Sequence, residues 1–409
     1  MRRKQLSKGI FLISTLFFYF LTISCNAQKV SSKENPDIIV GANQLDKYID
    51  LLKGKNVAIV GNNTSVIFKK GKSNSNYAHL VDSLLTLGIK VTKGFAPEHG
   101  FRGVEDAGEI ILDSKDKKTG VSVVSLYGDN YKPSPSNLKN IDVVVFDIQD
   151  VGVRFYTYLS TLHYVMEACA ENGIPVIVLD RPNPNGHYID GPVLEEQSKS
   201  FVGMHPVPIV YGMTIGEYAK MINGEKWLKN GVQCDLTVVP LKNYTHNSTY
   251  SLPLRPSPNL PNDKSINLYA SLCLFEGTNV SCGRGTEMQF QIFGSPYLPI
   301  DSYKFAFTPQ SNYGAKTPLN MNQECHGLDL SKTENLSRLN FTWLIDAYNS
   351  SAQKDKFFNK ESFNELAGTT KLKEQIEQGL TFEEIKATWQ KDLTTFKKIR
   401  EKYLIYKSE

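Results

Sequence analysis

Residues 141–149, IDVVVFDIQ, form an apolar run of strand length that is nearly continuous in valine and ends in polar side chains. Such runs are typical of parallel strands that are covered on both faces of a sheet. Similar runs occupy residues 56–61, 89–96, 121–128, 174–180, 208–212 and 236–241. Helical patterns lie between them, at residues 77–87 and 157–171, and Thr214 and Glu217 have the spacing of a capping box. This alternation predicts an α/β fold with a doubly wound, mainly parallel sheet.

The pattern changes from about residue 300. YKFAFTP (303–309) and ECHGLDL (324–330) predict strands, whereas the remaining sequence is helical and charged, with a Glu/Lys-rich pattern over residues 382–406. We therefore predict a larger domain over residues 37–300 and a second, smaller C-terminal α+β domain over residues 301–409.

The first 27 residues have the pattern of an export signal. A basic segment over residues 2–8 precedes an apolar stretch over residues 10–23, which is shorter than the roughly 18 to 20 residues of a membrane-spanning helix. LTISC (21–25) resembles a lipoprotein box that ends before Cys25, whereas CNAQ (25–28) fits cleavage after Ala27. Both alternatives predict an exported, periplasmic protein, and the first adds membrane attachment through a lipidated Cys25.

The charge and the cysteines exclude several functions. The 46 basic and 42 acidic residues nearly balance, and the basic residues are dispersed, so nucleic acid is not an expected partner. Beyond Cys25 an odd number of cysteines remains, which leaves at least one unpaired, although the predicted compartment permits a disulfide. These cysteines are Cys169, Cys234, Cys273, Cys282 and Cys325. No Cys, His or Asp set has the spacing of a metal motif, so we predict neither a metal nor a cofactor.

Polar side chains follow the predicted strands at the points where they end. Ligands of open α/β sheets bind at the carboxyl ends of the strands, so these side chains predict a site for a polar, hydroxylated ligand. The set comprises Asn62, Asn63, Glu98, His99, Arg102, Asp147, Asp150, Arg154, Tyr156, Tyr158, Asp180, Arg181, Asn183 and Asn185. The motifs for dinucleotide binding, phosphate binding and a serine hydrolase are absent from the sequence.

Carboxylates with amides and aromatic rings suit glycoside hydrolysis, which needs an acid and usually a second carboxylate. Six ordered stretches resemble one family of bacterial glycoside hydrolases, the exo-β-N-acetylmuramidases of the NamZ type. They are FAPEHGFRG (95–103), DIQDVGVRFYTY (147–158), LDRPNPNG (179–186), DGPVLE (190–195), HPVPIVYGMTIGE (205–217) and LFEGTNVSCGRGTE (274–287). The likeness extends from about residue 40 to IREKYLIY (399–406).

The resemblance implies a Rossmann-like catalytic domain, a C-terminal domain that completes a cleft, and release of terminal N-acetylmuramic acid from peptidoglycan fragments. The family's catalytic glutamate falls on Glu98. The second group stays open among Asp147, Asp150 and Glu276, and the acetamido oxygen of the substrate is a further alternative. The expected partners are muropeptides or oligosaccharides of N-acetylmuramic acid and N-acetylglucosamine.

Three arginines, Arg154, Arg181 and Arg284, are candidates to bind the lactyl carboxylate of the sugar, because a guanidinium matches a carboxylate with two hydrogen bonds. Tyr156 and Tyr158 are candidates to stack on the sugar ring, and Glu287 completes the predicted binding set. Two other functions stay open: a metal-dependent peptidoglycan amidase or deacetylase, and a non-catalytic exported muropeptide-binding protein.

Overall fold

A mainly parallel sheet forms the centre of the protein. The computed structural model describes residues 37–69, 76–103 and 113–407, so the predicted export signal lies outside the described residues. The strands of this part of the chain are β1 (Val57–Gly61), β2 (Val66–Phe68), β3 (Tyr77–His79), β4 (Val91–Ala96), β5 (Ser114–Lys115), β6 (Ser122–Ser125), β7 (Val143–Asp147), β8 (Val176–Leu179), β9 (Leu236–Val239), β10 (Ile292–Ser295), β11 (Phe305–Phe307) and β12 (Cys325–Asp329).

The strand order of the large sheet is β5-β6-β4-β1-β7-β8-β9. Every neighbouring pair is parallel except β5 and β6. Without the edge strand β5, the parallel strands follow the order 3-2-1-4-5-6, which is the order of the Rossmann fold. The order reverses between β1 and β7, so this point is the topological switch point of the sheet.

Alternate side chains of the central strands enter two separate hydrophobic cores. On β7, Val144 and Phe146 belong to one core and Val143 and Val145 to the other. All five residues of β7 are buried. Both faces of the sheet are therefore covered, which explains the nearly continuous apolar runs in the sequence.

Helices cover both faces and build the C-terminal part. They are α1 (Leu45–Leu52), α2 (Leu80–Thr86), α3 (Pro135–Leu138), α4 (Tyr158–Glu171), α5 (Ile215–Gly224), α6 (Asp263–Leu272), α7 (Thr342–Ser350), α8 (Lys360–Ala367), α9 (Lys371–Glu377), α10 (Phe382–Thr388) and α11 (Gln390–Glu401). The predicted capping box at α5 is present, because Thr214 accepts from the Glu217 N–H and Glu217 accepts from the Thr214 N–H.

The smaller C-terminal domain contains an antiparallel sheet of order β10-β12-β11 together with helices α7 to α11. The two strands predicted beyond residue 300 are β11 and β12, and the long pattern over residues 382–406 forms α10 and α11. The smaller sheet also takes in β10, which begins at Ile292. The domain boundary predicted at residue 300 stays a prediction.

Two sequence predictions are wrong. Residues 208–212 form no strand of the sheet; Val210 makes only isolated bridges to Val153 and Asp190. Residues 77–87 are not one helix, because Tyr77–His79 pair with β2 before α2 begins at Leu80. Across the described ranges, none of the helices is long and apolar enough to cross a membrane.

Candidate active site

A cavity of about 160 Å³ lies beyond the carboxyl end of β4. Its walls include Glu98, His99 and Tyr156 from the sheet loops, and Tyr269, Glu276 and Arg284 from the second half of the chain. We call it the Glu98 pocket. Among the predicted site residues, Glu98, His99, Tyr156, Glu276 and Arg284 are thus brought together at one cavity.

The turn after β4 separates the side chains of Glu98 and His99. His99 has φ of 69°, in the left-handed region that a non-glycine residue enters at some cost. Its ring Nε2 lies 3.1 Å from the Ser257 hydroxyl, whereas Glu98 lies near α4. The turn therefore presents the Glu98 carboxylate to the pocket and uses His99 to fix the loop that carries Ser257.

Two hydroxyl groups hold the Glu98 carboxylate. Thr157 Oγ1 donates to Glu98 Oε2 at 2.7 Å, and the Tyr127 hydroxyl forms a second hydrogen bond with the same side chain. Burial raises the pKa of Tyr127 above its usual value, and the charge of Glu98 acts in the same direction, so Tyr127 remains a protonated donor. Thr157 is also the N-cap residue of α4, so Glu98 lies at the positive end of a helix of 14 residues.

Glu276 and Arg284 form an ion pair on another wall of the Glu98 pocket. Arg284 Nη1 lies 2.5 Å from Glu276 Oε1, and the two side chains are 25% and 26% exposed. Both residues also line a second cavity of about 340 Å³ that includes Thr278, Ser281 and Thr317. The pair therefore separates two cavities and is accessible from the Glu98 pocket.

Tyr269 connects the two carboxylates electrostatically. Burial raises the pKa of its hydroxyl well above the usual value, and the charges of Glu276 and Glu98 raise it further. Tyr269 also packs edge-on against Tyr156, with ring centroids 6.1 Å apart. The charges of Glu98 and Glu276 thus both reach the Tyr269 hydroxyl, and these two residues are the carboxylates that line the pocket.

Asp147 and Arg181 lie outside the pocket and bind each other. The Arg181 guanidinium donates to both carboxylate oxygens of Asp147, at 2.6 and 2.9 Å. The side chains are 0% and 2% exposed, so neither can reach a ligand in this conformation. The ion pair between Arg181 and Asp147 instead joins the ends of β8 and β7.

Asp150 is buried behind the tyrosines of the pocket. Its Oδ2 accepts from the Gly152 N–H at 2.7 Å and from the Tyr211 hydroxyl. Burial raises its pKa to about 6, although the Tyr211 hydrogen bond acts against that rise. Because Asp150 is 3% exposed and lines no part of the Glu98 pocket, the structure gives it a role in holding the loop after β7.

Arg154 is a buried structural arginine. Its guanidinium donates to the backbone carbonyls of Pro192 and Val207 at 2.8 Å each, and to those of Leu366 and Ala367. Burial lowers its pKa to about 9. Arg154 thus ties a loop of the larger domain to the end of α8, and it does not face the pocket as a carboxylate-binding residue would.

Asp180, Asn183 and Asn185 are also buried and structural. Asp180 accepts from the Gly216 N–H at the start of α5 and from the hydroxyls of Thr214 and Tyr406. Asn183 and Asn185 donate to backbone carbonyls, Asn183 to Met213 and Asn185 to Val151 and Ile266. These side chains follow a strand end, as predicted, but they bind the protein itself.

Tyr156 and Tyr158 do not lie on one extended face. Thr157 is in the right-handed helical region and Tyr158 begins α4, so the segment is a turn into a helix. The Tyr156 and Tyr158 hydroxyls both donate to the Pro256 carbonyl, and Tyr158 accepts from Asn62 Nδ2 at 2.9 Å. Tyr156 lines the pocket, whereas Tyr158 and Asn62 lie behind it.

The remaining predicted residues lie away from the pocket. Arg102 donates to both oxygens of Asp116 and to Asp82. Asn63 donates to the Arg255 carbonyl, and Glu287 is exposed outside the pocket. Arg102 therefore does not pair with Glu98, and its role is to hold the segment near β6.

The predicted site set omitted several residues of the pocket. Thr157, Ser257 and Tyr269 line it, as do Tyr127 and Phe201. Tyr127 follows β6 at the expected edge of the sheet, so its position could have indicated it. Ser257 and Tyr269 come from loops and helices distant along the chain, and no local pattern marks them.

The described residues contain no group of three or more His, Cys, Asp or Glu side chains that could hold a metal ion. The five cysteines of this part of the chain are all buried thiols and form no disulfide with one another. Cys273 contacts one carboxylate of the pocket, because its thiol donates to Glu276 Oε2 at 3.5 Å.

The Rossmann-like sheet and the pocket beyond its strand ends, which is lined by two carboxylates, define the class of the protein. It is an α/β enzyme with a site for a polar ligand. Two family models match the chain: "Exo-beta-N-acetylmuramidase NamZ, N-terminal" over residues 57–264 and the corresponding C-terminal domain over residues 267–406. The chain therefore belongs to the NamZ family.

Similar proteins support this membership. The chain is 38% identical over 429 residues to the peptidoglycan beta-N-acetylmuramidase NamZ of Bacillus subtilis (strain 168), over 98% of this chain and 100% of that protein. A DUF1343 family protein of Bacteroides fragilis NCTC 9343 superposes with a TM-score of 0.83 at 46% identity, over 91% of this chain and 100% of its own. A second protein of that organism and family gives 0.76 at 29% identity, over 90% and 99%.

Proposed function

We propose that this protein is an exo-acting glycoside hydrolase that releases terminal β-linked N-acetylmuramic acid from peptidoglycan fragments. Membership of the NamZ family supports the substrate class. The observation that carries the mechanism is Glu98, a half-buried carboxylate held by two hydroxyl donors at a pocket with a second carboxylate.

Glu98 is the general acid. As its proton passes to the glycosidic oxygen, negative charge develops on its carboxylate. The Thr157 and Tyr127 hydroxyls bind that charge more strongly than they bind the neutral acid, and the N-terminus of α4 acts in the same direction. These interactions strengthen toward the transition state, which is the condition for lowering the barrier.

Glu276 is the second carboxylate. Asp147 and Asp150 are buried and bound by the protein, so they cannot activate water at the pocket. Two reaction courses are compatible with Glu276. It activates the attacking water or attacks the sugar itself, or it orients a substrate whose acetamido oxygen attacks. Glu276→Gln separates them, because turnover falls by orders of magnitude in the first course and modestly in the second.

Arg284 binds the lactyl carboxylate. It is the one predicted arginine that lines the Glu98 pocket, since Arg154 and Arg181 are buried and bound elsewhere. Arg284 Nη1 pairs with Glu276 and Nη2 lies 3.5 Å from the Gly314 carbonyl, and the side chain is 25% exposed, so a substrate carboxylate that enters the pocket can join this ion pair as a further acceptor.

The test is turnover of Glu98→Gln, which keeps size and hydrogen bonding but cannot donate a proton to the leaving oxygen. General acid catalysis contributes about 10²- to 10⁴-fold, so kcat on the disaccharide of N-acetylmuramic acid and N-acetylglucosamine should fall within that range. KM should change little, since the contribution belongs to the transition state. Nitrophenyl β-N-acetylmuramide should lose less, because its leaving group needs less protonation.

Glu287→Gln is the matched control, because Glu287 is exposed outside the pocket, and it should retain wild-type turnover. Near wild-type turnover of Glu98→Gln on the disaccharide would remove Glu98 from the acid role. A wild-type protein that binds muropeptides but releases no sugar would be a binding protein. Release of peptide or acetate instead would identify an amidase or a deacetylase.

We also propose that the protein is exported to the periplasm. The basic segment and the apolar stretch of the first 27 residues support this, and the lipoprotein box supports an anchor at Cys25. Fractionation of the native host with mass spectrometry of the mature N-terminus tests both. Recovery of a cytoplasmic chain that retains Met1 would refute export, and a mature N-terminus at Gln28 would refute the anchor.

A further inference from the structure

Four aromatic side chains form a cluster beside the Glu98 pocket: Tyr127, Tyr131, Tyr164 and Phe201. Tyr131 and Phe201 are stacked with centroids 4.0 Å apart, and Tyr164 lies nearly parallel to both, 6.4 Å from each. Tyr127 is tilted against Tyr131 and Phe201, at 6.0 and 5.9 Å. We call this cluster the aromatic wall.

The wall is not part of the protein interior. All four side chains are partly exposed, whereas the aromatic residues of the cores are buried. Within the described ranges, Tyr131, Tyr164 and Phe201 belong to neither hydrophobic core and do not pack against one, and only Tyr127 does. The four partly exposed rings contact one another and form one continuous patch, and continuous aromatic patches next to a pocket are typical of binding surfaces.

The aromatic wall extends outward from the Glu98 pocket. Tyr127 and Phe201 line the pocket, and Tyr127 is hydrogen-bonded to Glu98 itself. Tyr131 and Tyr164 stack on Phe201 and do not line the pocket. No wall residue lines the second cavity, onto which Glu276 and Arg284 also open. Glu98 therefore lies where the pocket meets the inner end of the wall.

The wall has little net charge to offer a ligand. The nearest basic side chain in sequence, Lys132, is occupied by Glu167 and Glu171 at 2.7 Å each. Stacked rings with polar hydroxyl edges suit the flat C–H face of an uncharged pyranose better than an anion. The carboxylate-bearing sugar has its cation inside the pocket, at Arg284.

We propose that the aromatic wall binds the leaving-group sugar, a β-linked N-acetylglucosamine unit, while the N-acetylmuramic acid unit occupies the Glu98 pocket. The assignment of the muramic acid unit rests on the proposed function. The glycosidic oxygen lies between the two sugars, and Glu98, which protonates it, lies in the pocket against Tyr127, the wall residue that binds it. The wall thus selects substrates by their second sugar.

The experiment compares two substrates on Tyr131→Ala and Tyr164→Ala, whose rings belong to the wall but do not line the Glu98 pocket. The disaccharide has a leaving-group sugar, whereas methyl β-N-acetylmuramide has none. Removal of one stacking ring should lower kcat/KM on the disaccharide about tenfold and leave the methyl glycoside within about twofold. Tyr131→Phe should behave as wild type, because it keeps the ring. Tyr77→Ala, at an exposed aromatic residue of β3, is the control and should change neither substrate.

Equal losses on both substrates would overturn the proposal, since the wall would then only support the pocket. Unchanged kcat/KM on the disaccharide in the double variant Tyr131→Ala/Tyr164→Ala would also overturn it. So would sedimentation that shows a wild-type dimer broken by the double variant, because the wall would then join two copies of the chain.

Binding of the N-acetylglucosamine trimer, measured by calorimetric titration, separates the wall from the reaction. If the wild type binds the trimer and Tyr131→Ala weakens that binding about tenfold, the wall binds this sugar even in a protein that proves to release no muramic acid. No detectable binding of the trimer together with equal substrate losses would refute the wall alone and leave the hydrolase assignment intact.

Discussion

Thr157 offers the sharpest test of how Glu98 works, because its hydroxyl has one described partner in the pocket. Thr157 Oγ1 donates to Glu98 Oε2 at 2.7 Å, and the residue is 9% exposed, so solvent screens this bond little. Thr157→Val replaces the hydroxyl with a methyl group of similar size. The perturbation therefore removes one donor from the acid and leaves the turn into α4 in place.

The magnitude follows from the change in charge on Glu98. A hydrogen bond between neutral groups contributes about 1 kcal/mol, and one to a charged group contributes about 1.5 to 3 kcal/mol. The difference, about 0.5 to 2 kcal/mol, is the part that appears only as the proton leaves Glu98. Each 1.36 kcal/mol is a factor of ten in rate, so kcat should fall about 2- to 30-fold.

The assay compares kcat on methyl β-N-acetylmuramide and on the nitrophenyl glycoside. The loss should be full on the methyl glycoside and smaller on the nitrophenyl glycoside, whose leaving group accepts less of the proton. Thr157→Ser keeps the hydroxyl and should retain turnover within about threefold. The reasoning is refuted if Thr157→Val loses equally on both substrates, which indicates misplacement of the sugar, or if it loses nothing.

Two further predictions concern stability. Arg154→Met should lower the free energy of unfolding by about 2 to 4 kcal/mol in urea titration, because four backbone carbonyls lose their donor while the cost of burying the charge is relieved; an unchanged midpoint would contradict it. Asp116→Asn tests the ion pair with Arg102. Burial opposes the Asp116 charge, but Arg102 and Thr119 bind it and lower its pKa to about 2. The folded pKa lies below the unfolded one, so the stabilisation is present above about pH 4 and is lost as the pH falls toward 2. Because Arg102 is 30% exposed, we expect about 1 kcal/mol at pH 7 after screening. The difference between the melting temperatures of wild type and variant should narrow as the pH falls from about 4 toward 2, and a difference that stays constant down to pH 2 would exclude the ion pair as its cause.

The sequence predicts a strand well where burial on both faces of the sheet is the contact that stabilises it. The strands of the parallel sheet, such as β7, are buried on both faces and leave continuous apolar runs. Residues 208–212 have the same composition, but they are buried by loops and helices around them and pair only through isolated bridges. Burial alone makes a run apolar, so composition does not distinguish a strand from a buried loop.

The sequence predicts the edge of the sheet at which the site lies, but not which side chains at that edge line the pocket. Asp180, Asn183 and Glu98 all follow strand ends, yet Asp180 binds the start of α5 and Asn183 binds a loop carbonyl. A polar side chain that lies near an unsatisfied backbone group forms a hydrogen bond with it. The sequence does not show which backbone groups lie near a given side chain. Thr157 was missed for a related reason: it opens the predicted helix over residues 157–171, and the sequence does not show that its hydroxyl meets the Glu98 carboxylate.

The switch point of the sheet explains why the pocket lies beside β4. In Rossmann folds the crevice between the first and fourth strands receives the ligand. Here the Ser65 hydroxyl donates to the Asp147 carbonyl across the switch point. The Arg181 side chain occupies the crevice, because it donates to the Asp147 carboxylate and to the Val66 carbonyl. The crevice is thus filled by the chain's own side chains.

The loops of the sheet and the start of α4 supply part of the wall of the Glu98 pocket, and the second half of the chain supplies the rest. Tyr269, Glu276 and Arg284 all fall within the C-terminal family domain, whereas Glu98 and Thr157 fall within the N-terminal one. The N-terminal domain therefore holds the acid and its hydroxyl donors but neither the second carboxylate nor the arginine of the pocket. Since Arg154 binds the carbonyls of Leu366 and Ala367, one buried side chain links the two halves and keeps those groups facing each other.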